Sequence, residues 1–278
     1  MKLSYQVATP DVRCGESVTA YQGSIEKTFS DIASMGYDGV ELMTLDPAKL
    51  DRVYIKELAR QLGISCEMVC TGEIYGQLGL NFTDQDKEKR REAIDRVKAD
   101  IDFASYLGAK VNIGRVRGHY CPEVPKERTE ELAIEAFTEI SEYAEPRSVM
   151  LALENVTIMQ PNLINTVYDA GRMVERVNRP NFRIMMDVFH MNIEEKNMFA
   201  AMSAMAGYTV HVHLADNNRR YPGSCGMDMY RVISTLKKAG YDNGFSIEIM
   251  QLPNMETAAK RSIEYLAPIF EKEYGRKI

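Results

Sequence analysis

Four residues able to bind a metal ion, Glu154, Asp187, His213 and Glu248, lie at the ends of short apolar runs. The runs are VMLALE (149–154), FRIMMD (182–187), YTVHVH (208–213) and FSIEIM (245–250), and the four residues stand 33, 26 and 35 positions apart. Each gap is about the length of one strand–helix unit, so the runs read as successive strands of a parallel sheet. Side chains alternate along a strand, which pairs Glu154 with Ala152, Glu248 with Ser246, and His213 with His211 on the inward face. Three carboxylates and one imidazole then converge. Taken singly, a strand-end acid is more simply a helix N-cap or a salt-bridge partner; four on consecutive strands favour one divalent ion. The oxygen-rich set suits six-coordinate Mn²⁺, Co²⁺ or Mg²⁺ better than a closed tetrahedral Zn²⁺ site, although Zn²⁺ stays in the set. It also leaves positions open for water or substrate oxygens.

Such a centre suits proton abstraction next to a carbonyl. A sugar bound through a carbonyl and an adjacent hydroxyl has its neighbouring C–H acidified by the ion. A carboxylate removes the proton, the ion stabilises the enediolate, and an acid returns the proton. Return to the same carbon from the opposite face epimerises; return to the adjacent carbon interconverts aldose and ketose. Glu154 and Glu248, on the fifth and eighth strands, flank the substrate in this scheme as the acid–base pair. A hydrolase needs only one base and a metal-bound water, so the residues alone leave that reading open.

The elements that must position these groups alternate without interruption. LSYQVAT (3–9), YDGVELM (37–43), ISCEMVC (64–70) and KVNIG (110–114) read as the four opening strands. Helical periodicity covers 24–36, 47–63, 84–108, 126–143, 163–177, 194–206, 228–239 and 256–272. Eight strands and eight helices in strict alternation imply right-handed parallel crossovers. They close into one α/β domain over 1–278, a single (β/α)8 TIM barrel with its site at the C-terminal ends of strands five to eight.

Further polar groups surround the four. DVFHMN (187–192) places His190 three residues after Asp187, and HLADNNRRYPG (213–223) carries Arg219 on the loop after strand seven. GRVRGHY (114–120) puts Arg115, Arg117 and His119 after strand four, on a solvated loop that barrel salt bridges would close; Arg117 and His119 divide evenly between that role and contact to substrate. Glu41, ending strand two, reads as structural. CTGEIYGQLG (70–79) lacks the spacing of a dinucleotide or phosphate-loop fingerprint. It reads as a mobile loop over the mouth, with Glu73 and Tyr75 as candidate substrate contacts.

Composition sets the outer bounds. A chain of 278 residues, 45% hydrophobic, can bury a large core. A formal charge of −6 gives no footprint for nucleic acid or an anionic membrane. MKLSYQVATPD lacks the apolar segment of a secretory signal, and no apolar stretch approaches membrane-spanning length, so a soluble, cytoplasmic protein is expected. Five cysteines without zinc-type pairing read as reduced structural thiols.

The segments LALEN, MMDVFHMN, HVHLADNNRRYPG and FSIEIM together resemble the xylose isomerase-like TIM-barrel superfamily. Within it they are most similar to sugar and sugar-phosphate isomerases and epimerases, especially ketose 3-epimerases of the D-tagatose and D-psicose type and inosose isomerase. The resemblance covers essentially the whole chain. It implies that Glu154, Asp187, His213 and Glu248 hold Mn²⁺ or Co²⁺, that the two glutamates move the proton, and that His190 and Arg219 contact substrate oxygens. It also implies a carbohydrate substrate and a homodimer or homotetramer. One position departs: a second Glu, expected six residues after the strand-five ligand, is Gln160, which can hydrogen-bond a hydroxyl but cannot act as a base. The basic 114–120 loop differs too, and suits a phosphate, a carboxylate or a larger glycoside. Related chemistries stay open: elimination or hydration on an inosose or 3-keto-glycoside, and a metal hydrolase resembling endonuclease IV. The last uses a histidine-rich metal cluster, whereas only four histidines occur here.

Overall fold

Eight short strands pair in chain order: β1 (Leu3–Ala8), β2 (Gly39–Met43), β3 (Ser65–Cys70), β4 (Lys110–Ile113), β5 (Leu151–Glu154), β6 (Phe182–Asp187), β7 (Thr209–Leu214) and β8 (Gly244–Ile247). Each lies parallel to the next, and β8 pairs with β1, so the expected (β/α)8 barrel is closed. The structure is a computed structural model and describes residues 1–276.

The helices are α1 (Ile25–Ser34), α2 (Arg52–Gln61), α3 (Gly72–Leu78), α4 (Lys87–Leu107), α5 (Lys126–Ala144), α6 (Val167–Val177), α7 (Val188–Glu194), α8 (Met198–Met205), α9 (Met229–Lys238) and α10 (Met255–Tyr274). Their start signals are local. Asp86 caps α4 by accepting from Glu88 N–H, and Thr166 with Asp169 forms a reciprocal capping box on α6. Along α4, Ile94, Val97, Ile101 and Ala104 recur at helical spacing and are buried. None of the helices among the described residues is long and apolar enough to cross a membrane.

Ten helices replace the expected eight among the described residues, and both additions lie at the C-terminal strand ends. Residues 72–78, expected as a mobile loop, form α3; residues 188–194, ahead of the helix expected over 194–206, form α7 directly off β6. On β5 the alternation holds: Leu151 and Leu153 join the large core between barrel and helices, while Ala152 packs inside with Met68, Cys70 and Met185. Glu41 and His211 are also buried in the barrel.

One buried acid on the helix layer should make stability depend on pH. Asp100 of α4 accepts from Thr44 Oγ1 at 2.9 Å, its Oδ2 has no partner, and burial lifts its carboxyl to about 8. The unfolded chain gives up the same proton near 3.8. Stability from this group is therefore complete at low pH and lost as pH rises from about 4 to about 8. Asp100→Asn, a mimic of the neutral acid, should remove that slope. Urea unfolding should show the variant gaining on the native chain at pH 8, by an amount on the order of a few kcal/mol, and gaining far less at pH 4. Equal effects at the two pH values would contradict it.

Candidate active site

Glu154 and Asp187 are the last residues of β5 and β6, His213 is the penultimate residue of β7, and Glu248 follows β8 directly. One ligand atom from each lies within 4.8 Å of all the others. The carboxylates are individually oriented. Asn112 Nδ2 donates to Glu154 Oε2 at 3.0 Å, and Thr19 Oγ1 donates to Glu248 Oε1 at 2.9 Å. Asp187 Oδ1 caps α7 by accepting from the N–H groups of Phe189 and His190, at 2.9 and 3.2 Å, while Oδ2 faces the cluster.

The histidine orientation turns one ring nitrogen toward the three carboxylates. Glu41, buried in the barrel, lies 2.7 Å from His213 Nε2 and 3.0 Å from His211 Nε2. Burial would raise the Glu41 carboxyl, but the two histidines hold it well below its ordinary value. An ionised carboxylate only accepts, so each Nε2 carries the proton and donates. In the neutral imidazole, His213 Nδ1 then presents a lone pair. It faces Glu248 Oε2 at 2.8 Å, Glu154 Oε1 at 3.3 Å and Asp187 Oδ2 at 3.6 Å, yet makes no hydrogen bond. Without an ion these carboxylates draw a second proton onto that nitrogen; a divalent cation would take the place of that proton and meet the same three carboxylates.

Arg219 meets part of the carboxylates' charge. Its Nη1 lies 2.7 Å from Asp187 Oδ2, its Nη2 2.6 Å from Glu248 Oε2, and its guanidinium stacks 4.8 Å from the Phe189 ring. Against burial, Arg219 and His213 hold the Glu248 carboxyl at about 2. Burial would also depress the His213 imidazole, but Glu41 and Glu248 hold it well above its ordinary value. One guanidinium against three carboxylates leaves negative charge uncompensated, and the donor set fits a divalent ion. Arg219 itself sits at φ +60°, strained for a non-glycine residue. Buried Asp216 fixes that loop by accepting from the N–H groups of Gly223, Cys225 and Met227.

Above the cluster opens a cavity of about 270 Å³, lined by Glu154, His190, His213, Arg219 and Glu248, with Gln160 and Glu73 further out. Its size suits one small polar ligand. Burial lowers the His190 imidazole, favouring the neutral ring, and its Nδ1 is buried without a partner. Glu73 accepts from Arg115 at 2.6 Å and from Gln77 at 2.8 Å.

The 114–120 loop corrects the expectation. Arg117 is fully buried outside the cavity, donating to the carbonyls of Leu163, Ile164 and Gly114 at 2.7, 3.1 and 3.0 Å, so it ties the loop after β4 to the loop after β5. His119 also lies outside the cavity lining, edge-on to Tyr75 with ring centroids 6.1 Å apart. Arg115 is the arginine of this loop that reaches the cavity.

The pattern of the xylose isomerase-like TIM barrel family matches residues 29–269. The chain belongs to that family. A probable ketose 3-epimerase from Synechocystis sp. is 25% identical over 91% of this chain and 89% of its own length. A D-psicose 3-epimerase from Ruminiclostridium cellulolyticum is 30% identical, over 82% of this chain and 78% of its own. The solved structure of an L-ribulose 3-epimerase covers 98% of this chain and 95% of its own, with a TM-score of 0.82 at 20% identity, a likeness of fold.

Two residues that orient the site, Asn112 and Thr19, escaped the sequence reading, while Arg115, which the sequence puts on the loop after strand four, lines the cavity where Arg117 was expected. Asn112 left a usable signal, a polar residue between Val111 and Ile113 in a four-residue strand. Thr19 left none, because its loop has no periodicity to place it. The backbone beside Asn112 is equally constrained: a Cβ on Gly114 would come 2.8 Å from Glu154 Oε2 and 2.9 Å from Asn112 Oδ1. Gly114→Ala should therefore push the Glu154 carboxylate off its position and lower turnover about 100-fold with the fold intact. Normal turnover in that variant would show that Glu154 tolerates displacement.

Proposed function

We propose that this protein is a divalent-metal-dependent sugar epimerase or isomerase that removes a proton next to a substrate carbonyl. The carrying observation is the convergence of Glu154, Asp187, His213 and Glu248, with one ligand atom of each within 4.8 Å of all the others, at a sugar-sized cavity. The relatives, named as ketose and psicose 3-epimerases, support the reaction class. Glu154, Asp187, His213 and Glu248 would hold the ion, Mn²⁺ by preference. When bound, it supplies polarisation of the substrate carbonyl and its neighbouring hydroxyl.

The chain's own residues supply the rest. Ionised Glu248 takes the proton from one face of the substrate, and Glu154 serves the opposite face. Neutral His190 meets a substrate oxygen with its ring. Arg219, already spanning Asp187 and Glu248, fixes both and offers its guanidinium to an oxygen that gains charge. Gln160 at the rim hydrogen-bonds a hydroxyl as an amide, and Glu73 accepts from another.

The test is a panel of ketoses, ketose phosphates, inososes and 3-keto-glycosides, each assayed with Mn²⁺, Co²⁺, Mg²⁺ or Zn²⁺ in deuterium oxide. At least one substrate should gain solvent deuterium, with a product of otherwise unchanged mass, and should stop doing so after chelation. Exchange that survives complete chelation would refute the metal. A product lighter by water would move the reaction to elimination.

A further inference from the structure

A second cavity, of about 300 Å³, adjoins the reaction cavity, and the two share Ser17, Glu73 and Arg115 as a common wall. The far side consists of the loop carrying Arg13 and the Gly76–Gln77 end of α3. Arg115 lies across α3, donating to Glu73 Oε1 at 2.6 Å. It fits there because α3 carries glycine at 72 and 76: a Cβ at Gly76 would stand 2.7 Å from Arg115 Nη2. The other Glu73 oxygen accepts from Gln77 Nε2 at 2.8 Å, so both oxygens of this carboxylate are engaged.

Arg13 differs from Arg115 in having no carboxylate. Its Nε donates to Gln77 Oε1 and its Nη2 to the Gln77 carbonyl, both at 3.2 Å, and it forms no ion pair among the described residues. Glu16, on the same loop, is exposed and outside the lining. Two guanidinium groups, that of exposed Arg13 and that of half-buried Arg115, thus line this chamber against one carboxylate, Glu73, which Arg115 already pairs. A neutral sugar would leave that surplus charge to water; a planar or tetrahedral anion would meet it with charge-assisted hydrogen bonds.

We propose that the second chamber binds an anionic group, a carboxylate or a phosphate, carried by the substrate at the end remote from the reacting carbon. The substrate is then an acidic or phosphorylated sugar, whose reacting end sits over Glu154 and Glu248 and whose charged end passes Arg115 to reach Arg13. This inference rests on the epimerase reading for what occupies the first cavity, and on the arginines alone for the second.

The test uses non-reacting polyols on the Mn²⁺-loaded protein by titration calorimetry: glucitol, glucitol 6-phosphate and gluconate. Each anion should bind about 10-fold more tightly than glucitol, the ratio expected for one charge-assisted contact. Arg13→Gln keeps a side-chain amide on the loop and should bring the three affinities close together without weakening glucitol. A carboxylate that ligates the ion would not respond to Arg13, so this variant separates the two sites. Whichever anion loses more in Arg13→Gln names the group. Equal affinities in the native protein, or an anion preference that survives Arg13→Gln, would overturn the proposal. Anion preference without deuterium exchange into any ketose would instead fault the epimerase reading; exchange without anion preference would leave that reading and remove this one.

Discussion

Glu154→Gln and Glu248→Gln should each lower substrate interconversion by about 10²–10⁴-fold, the range for losing a positioned acid or base, at saturating Mn²⁺. Glutamine matches the shape of the carboxylate and keeps a carbonyl oxygen for the ion, but it cannot take up a proton at neutral pH. The neighbours are suited to the exchange. Asn112 can still bond residue 154 after a side-chain flip, and Thr19 can do the same for residue 248. Folding should therefore survive, with circular dichroism unchanged, and metal content measured beside the rate separates lost chemistry from lost ion. The two variants should also differ in kind. Since the carboxylates approach from different strands, β5 and β8, each variant retains one of the two bases. Residual deuterium exchange without interconversion should therefore appear with opposite epimers in the two proteins. Full interconversion by either variant would remove that glutamate from the acid–base pair.

The barrel and its four strand-end groups were legible because both rest on strand periodicity. An apolar run of fixed period decides which side chains point inward, and Leu151, Ala152, Leu153 and Glu154 follow it without exception. The bland and the sharp readings of Asp187 turned out to be compatible: Oδ1 caps α7 and Oδ2 faces the cluster. Off the strands the rule fails. Arg115 and Arg117 lie on one short 3-10 turn, Arg115–Arg117, where alternation no longer predicts direction, and it is Arg117 that turns inward to backbone carbonyls. The α3 segment was misread for a related reason. Its three glycines argue against a helix by propensity, but Gly72 and Gly76 admit the Arg115 guanidinium and Gly79, at φ +69°, ends the helix. A tertiary contact outweighed a local preference, which no single-segment reading can see.

Glu41→Leu tests whether the residue read as structural also serves the metal site. In the folded protein Glu41 accepts from His211, His213, Cys70 and Gln6, all buried. Removing the carboxylate leaves two imidazole N–H groups unpaired in the barrel, and metal-free protein should lose about 3–5 kcal/mol, as when one partner of a buried pair is deleted. The second effect is specific to the site. Without Glu41, nothing keeps the His213 proton on Nε2, so the tautomer with Nδ1 protonated becomes accessible and blocks the nitrogen that faces the carboxylates. Mn²⁺ affinity should fall about 10–100-fold, the usual cost of losing a carboxylate behind a ligating histidine. Glu41→Gln should fall between, because one amide oxygen can accept from one histidine but not from both. Urea unfolding of the metal-free proteins gives the first quantity, and competition with a chelator gives the second. If stability drops while Mn²⁺ affinity is unchanged, Glu41 supports only the barrel. If both drop, and His211→Phe lowers stability with a much smaller loss of affinity, the proton on His213 Nε2 is the link between the barrel interior and the site above it.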